Sequence, residues 1–361
     1  MVRSTSTCDH RASIMRLIRT LFVSAFLAHS TVPVNSAMAQ EAVVEEVIVT
    51  AQQRAENIQD VPISITAFSG DFLVENGMVS IEDVSRMTPN FSVYSSNRIT
   101  IRGIGSSGNN AIESSVGVFI DGVYYPRPRS VIGILLDVET FEVLRGPQGT
   151  LFGRNTVAGA LNITTRNPSE ETAGMIEFGI GDYDAYELGG MYNTAPSDSV
   201  AARVAFKYMA RDGYGTNTFD GEDFGARDDL VARGKVLFDL GDRLSLLVTA
   251  DYAEINFGGN AVEVLNPTST PVFEATTTAL YGSSPVTEDS HDWKINQAHR
   301  NVNRDAQQGM SLDINYQYRN GLALRSITAY REWEANDTNE DIRLPAHLAP
   351  AATRLQTDTF S

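Results

Sequence analysis

The chain has 361 residues and a formal net charge of −17, with 42% hydrophobic and 20% charged residues. This hydrophobic content excludes a disordered chain, and the acidity excludes nucleic acid as a partner, because phosphate contacts draw on Lys and Arg. Cys8 is the single cysteine, so the chain beyond it has no disulfide, zinc–thiolate site or cysteine nucleophile.

The first 39 residues read as a secretory signal peptide. Arg11 and Arg16 precede a short apolar run, Leu17 to Ala28, and Ala37-Met38-Ala39 forms a small-residue cleavage site before Gln40. The run is too short for a membrane-spanning helix, which needs about 20 apolar residues. Residues 1–14 stand ahead of this pattern, and Met15 is an alternative start. No later segment offers an apolar run of spanning length, so a mature chain that crosses a membrane must do so as a barrel.

Glu45-Glu46-Val47-Ile48-Val49-Thr50-Ala51 follows, a β-branched run behind two acids. It reads either as an ordinary edge strand or as a strand offered to a partner's exposed sheet edge. Next, Val61 to Phe68 alternates as a strand, with Pro62 confining it to an edge or a strand start. Ser80 and Asp83 predict a capping box on a short helix over Ile81 to Met87, ended by Pro89-Asn90. Further strands are predicted at Ile99–Arg102, Val116–Ile120 and Thr140–Leu144, with glycine turns between them. Gly103 to Gly108 spells G-x-G-x-x-G, but no helical period follows it, so it reads as a glycine loop and not as a dinucleotide site.

Four segments occur in order: Ile101-Arg102-Gly103; Val116 to Tyr124, containing Asp121-Gly122; Val143 to Gly153, containing Arg145-Gly146-Pro147 and Gly149; and Gly159 to Thr165. Together they resemble the signature segments of the plug domain of TonB-dependent outer-membrane receptors, and Glu45 to Ala51 resembles the TonB box of that family. The resemblance implies that Glu45, Glu46, Val47, Ile48, Val49, Thr50 and Ala51 pair with the periplasmic domain of TonB. It also implies that Arg102, Gly103, Asp121, Gly122, Arg145, Gly146, Pro147 and Gly149 form the plug's structural motif. Arg102 and Arg145 stand beside turn glycines, which favours a role in holding the plug together, or in docking it to acids on a barrel wall, over ligand contact.

From residue 172 onward period-2 alternation dominates. Seven apolar faces run through Gly174–Ile180, Tyr186–Tyr192, Val200–Tyr208, Leu230–Phe238, Leu244–Tyr252, Met310–Tyr318 and, more weakly, Leu322–Tyr330. Runs of this length suit tilted spanning strands better than the ~5–6 residues usual in globular proteins. Short connections (Ala195–Ser199, Gly241-Asp242, Asn320-Gly321) alternate with long ones (Arg211–Arg227, Ile255–Gln307), as periplasmic turns alternate with extracellular loops. Aromatics near the strand ends suit an interfacial girdle. Trp293, His291 and His299 lie in the longest connection and read as a solvated loop or as ligand capture at the outer mouth. Asp220, Glu222, Asp223, Asp228 and Asp229 crowd another loop, where solvation is favoured over cation binding. No catalytic triad or metal-ligand spacing is assignable, since His291, His299 and His347 lie in polar, loop-like sequence.

The expected architecture is a mixed α/β plug domain followed by the first seven or so antiparallel strands of a transmembrane β-barrel that in this family has about 22. The expected organisation is a signal peptide at 1–39, an extension with the TonB box at 40–51, a plug at 52–168 and a partial barrel at 169–361. Seven strands do not close such a barrel and the last residues read as a loop, so a truncated chain is expected. The resemblance implies an exported outer-membrane receptor, in contact with lipid, that takes up a scarce ligand such as a ferric siderophore with energy from TonB. It implies no enzyme activity, cofactor or metal. A non-transporting remnant and an ungated porin or adhesin are the alternatives.

Overall fold

The computed structural model describes residues 48–49, 56–59, 61–94, 98–105, 113–131, 135–258, 264–265, 270–282, 286–287, 292–296, 302–339 and 351–360. The leader, Met15 and the histidines lie outside the described residues.

The first half is an α/β unit. Its strands are β1 (Ile48–Val49), β2 (Glu56–Asn57), β3 (Ile65–Ser69), β4 (Phe91–Tyr94), β5 (Arg98–Ile101), β6 (Ile104–Gly105), β7 (Val116–Ile120), β8 (Val123–Tyr125), β9 (Val138–Arg145) and β10 (Gly159–Thr165). Its helices are α1 (Gly70–Glu75), α2 (Ile81–Met87) and α3 (Gly149–Phe152). The main sheet has the order β3-β9-β10-β7-β8, parallel only between β7 and β10. The expected strand over Val61–Phe68 forms only from Ile65, which leaves Pro62 ahead of the ladder, where its missing N–H costs nothing. α2 carries the expected capping box: the Ser80 hydroxyl accepts from the Asp83 N–H at 3.3 Å, and Asp83 accepts from the Ser80 N–H at 3.1 Å. One face of the main sheet buries Phe141, Val143, Leu161 and Ile163 under α1 and α2. The other buries Leu144, Ala160, Phe119 and Phe152 with Val49 and Val61.

The second half is one antiparallel sheet, called the wall below. Its members are β11 (Ala173–Gly181), β12 (Ala185–Ser197), β13 (Val200–Arg211), β16 (Ala226–Asp239), β17 (Leu244–Gly258), β21 (Val302–Gln317), β22 (Ala323–Asn339) and β23 (Ala351–Phe360), paired in chain order. The long connections carry β14 (Gly215–Asn217), β15 (Asp223–Phe224), β18 (Val264–Leu265), α4 (Thr270–Tyr281), β19 (Val286–Thr287) and β20 (Lys294–Ile295). All seven expected strands are present. The expectation of a terminal loop is corrected: residues 351–360 form an eighth strand, in register with Tyr330 to Asn339.

The large side chains of the seven expected apolar faces point away from the α/β unit. On β13, Val204 and Phe206 are exposed, whereas Ala201 and Ala205 on the opposite face are buried. On β11, Ile176 is 82% exposed and Ile180 80%. A soluble sandwich would reverse this, burying its large side chains between sheets. The outward apolar band ends at Tyr208, Tyr252 and Tyr330, beyond which the same faces carry Asp228, Glu254 and Glu332. From Leu322 to Tyr330 the band spans roughly 20 Å, at ~3.3 Å per residue and ~40° tilt, which with the two end side chains approaches the ~25 Å of a barrel's lipid-facing belt. Leu312→Arg, in mid-band on β21, is therefore expected to cost about 2–4 kcal/mol in a bilayer, and Gln308→Arg, at the border opposite Tyr252, about 1 or less. Denaturant unfolding in lipid vesicles measures both, and equal costs would count against the band.

Candidate functional site: the interface between the α/β unit and the wall

The interface is built on aspartates held in turns. Asp121 and Gly122 form the two-residue hairpin between β7 and β8, with φ of 51° and 80°, the left-handed pair that a type I′ turn requires and that Asp-Gly accepts. A Cβ on Gly122 would sit 2.6 Å from Ile327 Cδ1 of β22, so the turn also needs a bare backbone to approach the wall. The turn aims the Asp121 carboxylate at Thr165, which donates its N–H at 2.8 Å and its hydroxyl at 2.6 Å. Lys235 of β16 completes the site. Its ammonium, buried with the side chain 2% exposed, lies 3.0 Å from Asp121 and donates at 3.0 Å to both the Thr165 carbonyl and Asn167 Oδ1. An ammonium has three protons, and all three have acceptors here.

Arg203 of β13 stands directly opposite Lys235 on the wall. It is neutralised by Asp137, also in a left-handed conformation (φ 52°), through two hydrogen bonds of 2.6 Å. Arg233, two residues from Lys235, donates to the Leu136 carbonyl at 3.0 Å. The Leu136 side chain packs among Ala205, Val231 and Ala253 of the wall. Arg129 adds a pair of the opposite polarity, donating to Asp305 of β21 at 2.7 Å.

Higher on the wall, Asp251, Gly309 and Arg331 stand in one row across β17, β21 and β22. Arg331 reaches over Gly309 to grip Asp251 at 2.6 and 2.9 Å, and its guanidinium lies 4.1 Å from the centroid of the Tyr125 ring. Burial pushes the Tyr125 hydroxyl pKa above its usual value, so the phenol stays neutral beneath the cation. A Cβ on Gly309 would meet Arg331 Nη1 at 2.4 Å. The connection into β11 is also fixed: the fully buried Asn193 amide donates to the Ser169 carbonyl at 2.9 Å and accepts from its N–H at 3.1 Å.

Of the expected motif residues, Asp121 and Gly122 lie at the wall. Arg145 does not: it donates to Thr66 Oγ1 at 2.8 Å and to the Pro89 carbonyl at 3.0 Å, so it holds the α/β unit together and does not dock to wall acids. Burial and the neighbouring Arg102 guanidinium lower its pKa. Arg102 and Gly103 form the β5–β6 turn, with φ of 54° and 77°. Gly146 takes φ 92° at the end of β9, Pro147 is exposed, and Gly149 opens α3. Glu45, Glu46, Val47, Thr50 and Ala51 lie outside the described residues. Ile48 and Val49 pair with Asn57 and Glu56, and Val49 is fully buried. Sequence reasoning passed over Asp137, Arg203, Lys235, Gly309 and Arg331; the one signal for them was a charge recurring on the small-residue face of a strand.

Residues 57–160 match the family model of the TonB-dependent receptor plug domain. The chain carries a TonB-dependent receptor plug. It is 31% identical to the pesticin receptor of Yersinia pestis over 146 residues, which are 39% of this chain and 21% of that protein. It is 27% identical to the ferripyoverdine receptor of Pseudomonas aeruginosa over 211 residues, 57% of this chain and 25% of that one. Among solved structures, the ferric yersiniabactin uptake receptor of Yersinia pestis superposes with a TM-score of 0.65 at 20% identity, over 82% of this chain and 44% of that one. The chain thus spans about a fifth to a quarter of the length of these curated relatives. The α/β unit is the plug, and the wall has the fold of the receptor barrels over its eight strands.

Two expectations follow for the plug–wall interface. Asp121→Ala strands the buried Lys235 charge and is expected to cost about 3–5 kcal/mol, whereas Asp121→Leu combined with Lys235→Met removes both charges and restores most of it. Chemical unfolding of the refolded chain measures this, and an equally damaged double variant would contradict it. Gly309→Ala displaces the Arg331 grip and is expected to cost about 1–3 kcal/mol. The same measurement on Gly309→Ala within an Arg331→Met background should show that cost largely gone.

Proposed function

We propose that the chain is the plug and leading wall strands of an outer-membrane receptor that takes up a ferric siderophore complex, with energy supplied through TonB. The observation that carries the reading is the arrangement of the plug: it is docked to a lipid-facing wall by buried charge pairs, while Ile48 and Val49 hold its N-terminal edge in a two-residue ladder. Such a plug closes the lumen at rest and needs work from outside to move. The relatives' names support the cargo, since the ferripyoverdine receptor is similar over 57% of this chain and the ferric yersiniabactin receptor over 82% of it. An outer-membrane location is supported by the outward apolar band and its tyrosine border.

On this reading Glu45 to Ala51 is the segment that TonB's periplasmic domain pairs with, by backbone hydrogen bonds along an extended strand. Ile48 and Val49 must first leave Asn57 and Glu56. Directly opposed residues of an antiparallel pair lie about 4.5–5.5 Å apart at Cα, within the ~4.4–6.8 Å that a disulfide spans. Ile48→Cys with Asn57→Cys, expressed from the native locus in iron-starved cells, is therefore expected to block radio-iron uptake when oxidised and to recover with reductant, with siderophore binding unchanged throughout. Uptake indifferent to oxidation would sink TonB coupling through this segment. Iron uptake unaltered by deleting the locus would sink the transport reading itself.

A further inference from the structure

Two pairs of like charges oppose each other on the inner face of β13 and β16. Arg203 and Lys235 form the first, and each has a carboxylate of the plug. Higher on the same strands Arg211 stands directly opposite Arg227, a placement that is unfavourable unless compensated. Here the compensation is half complete. Arg227 Nε donates to Asp229, which is fully buried and whose other oxygen accepts from the Asn256 N–H at 3.1 Å. Arg211 has no carboxylate among the described residues. It donates from Nη2 to the Gly225 carbonyl at 2.9 Å, and its guanidinium lies 5.2 Å from the Tyr214 ring centroid. Its Nε is buried without an acceptor. Native folds rarely orphan a buried donor, and each case asks for a missing partner.

The two guanidiniums line one cavity. It measures about 320 Å³ and lies between Val79 of the plug and strands β11, β12, β13 and β16, a size usual for small-ligand sites. The plug side of the cavity is fixed, since the Val79 N–H donates to Asp83 at 3.2 Å and its carbonyl accepts from the Leu135 N–H at 2.8 Å. Arg211 is the last residue of β13 and Arg227 the second of β16, so the cavity lies where the long β13–β16 connection leaves the wall. The acids around it do not serve Arg211. Glu187, which also lines the cavity, is paired with Lys207 at 2.6 Å. Glu82 of α2 feels Arg227, but burial raises its pKa, which favours the uncharged form. One guanidinium is therefore left without a counter-charge beside an empty space of ligand size. A planar guanidinium fork matches the two oxygens of a carboxylate, and a second guanidinium faces the same space.

We propose that Arg211, with Arg227 opposite it, binds a carboxylate group of the ligand in this cavity, so that the ligand supplies the counter-charge that the plug supplies to Arg203 and Lys235. The inference deepens the uptake reading and rests on it for a ligand arriving from the long-loop end. Chain labelled with ¹⁵N-arginine in nonionic micelles gives Nε–H resonances, of which those of Arg211, Arg227 and Arg203 are assigned by changing each to Lys. Arg203, whose Nε donates to Asp137, reports that the plug is seated. Benzoate is expected to shift the Arg211 resonance saturably, to leave Arg203 unmoved, and to bind roughly tenfold to hundredfold more tightly than its neutral isostere benzamide. In Arg211→Gln, with the Arg203 resonance in place, the benzoate affinity read at Arg227 is expected to fall by about the same factor. No saturable shift at Arg211, an equal affinity for benzamide, an equal shift at Arg203, or undiminished benzoate binding in Arg211→Gln would each overturn the proposal. The titration contains no TonB, so its failure leaves energy-coupled uptake standing, and an uptake defect leaves this binding result standing.

Discussion

The plug's seating depends on one constraint: the wall carries two buried cations side by side, and each must find its counter-charge on the plug. Arg203 and Lys235 are directly opposed on neighbouring strands, a placement that is unfavourable for like charges left to themselves. Asp137 and Asp121 remove the conflict, one with a two-pronged grip and the other within a completed ammonium shell. Each aspartate occupies a left-handed turn position, where a short polar side chain is tolerated. The same residues therefore shape the turns and dock them. Moving the plug aside exposes two adjacent positive charges on the wall, and water or another anion must replace the carboxylates.

One alternation serves both faces of the wall. Along β13 the outward residues Val204, Phe206 and Tyr208 form part of the outward apolar band, while Ala201, Arg203, Ala205 and Lys207 alternate between close approach and charge on the plug side. Small residues let Leu136 pack against the strands, and Arg203 reaches past them to Asp137 of the plug, while Lys207 pairs with Glu187 on the wall itself. Gly309 does the same for Arg331: its bare backbone leaves room for a guanidinium to cross one strand and pair with the next. Substituting for size on this face alters electrostatics, because the ion pairs lie in the space that the small residues leave.

The seven expected strands were legible because each crosses the band, where an apolar outer face and a plug-facing inner face impose opposite polarities on alternate residues. The eighth was not, because β23 pairs only with the part of β22 from Tyr330 onward. Above Tyr330 the outer face of β22 carries Glu332, Glu334 and Asn336, so the outward apolar face ends while the backbone ladder continues. The plug's elements were legible from local chemistry: Ser80 and Asp83 for a cap, Asp121-Gly122 for a hairpin turn. Arg145 shows the limit. Its place beside a turn glycine admitted both a plug-internal and a wall role, and the choice depended on Thr66 and Pro89, 79 and 56 residues away. The wall cations were visible as interruptions of a small-residue face, but their partners arise only from tertiary geometry.

The segment proposed to pair with TonB and the docking acids are joined through a single sheet. Val49 packs on the face formed by Leu144, Ala160 and Phe119, that is, on β9, β10 and β7. Asp137 immediately precedes β9, Thr165 ends β10, and Asp121 follows β7. Under the proposed coupling, a pull on this segment loads first the β1–β2 ladder and the burial of Val49, then the sheet, then the wall pairs. The magnitudes rank these links. Two ladder residues contribute about 0.5–1.5 kcal/mol per hydrogen bond, and one buried valine about 1.5–3 kcal/mol. Separating either buried ion pair without replacing its charge costs about 3–5 kcal/mol. The ladder therefore yields before the docking contacts do, and freeing the segment does not by itself unseat the plug. The wall pairs require further work, or a ligand whose binding shifts their balance, before the lumen opens.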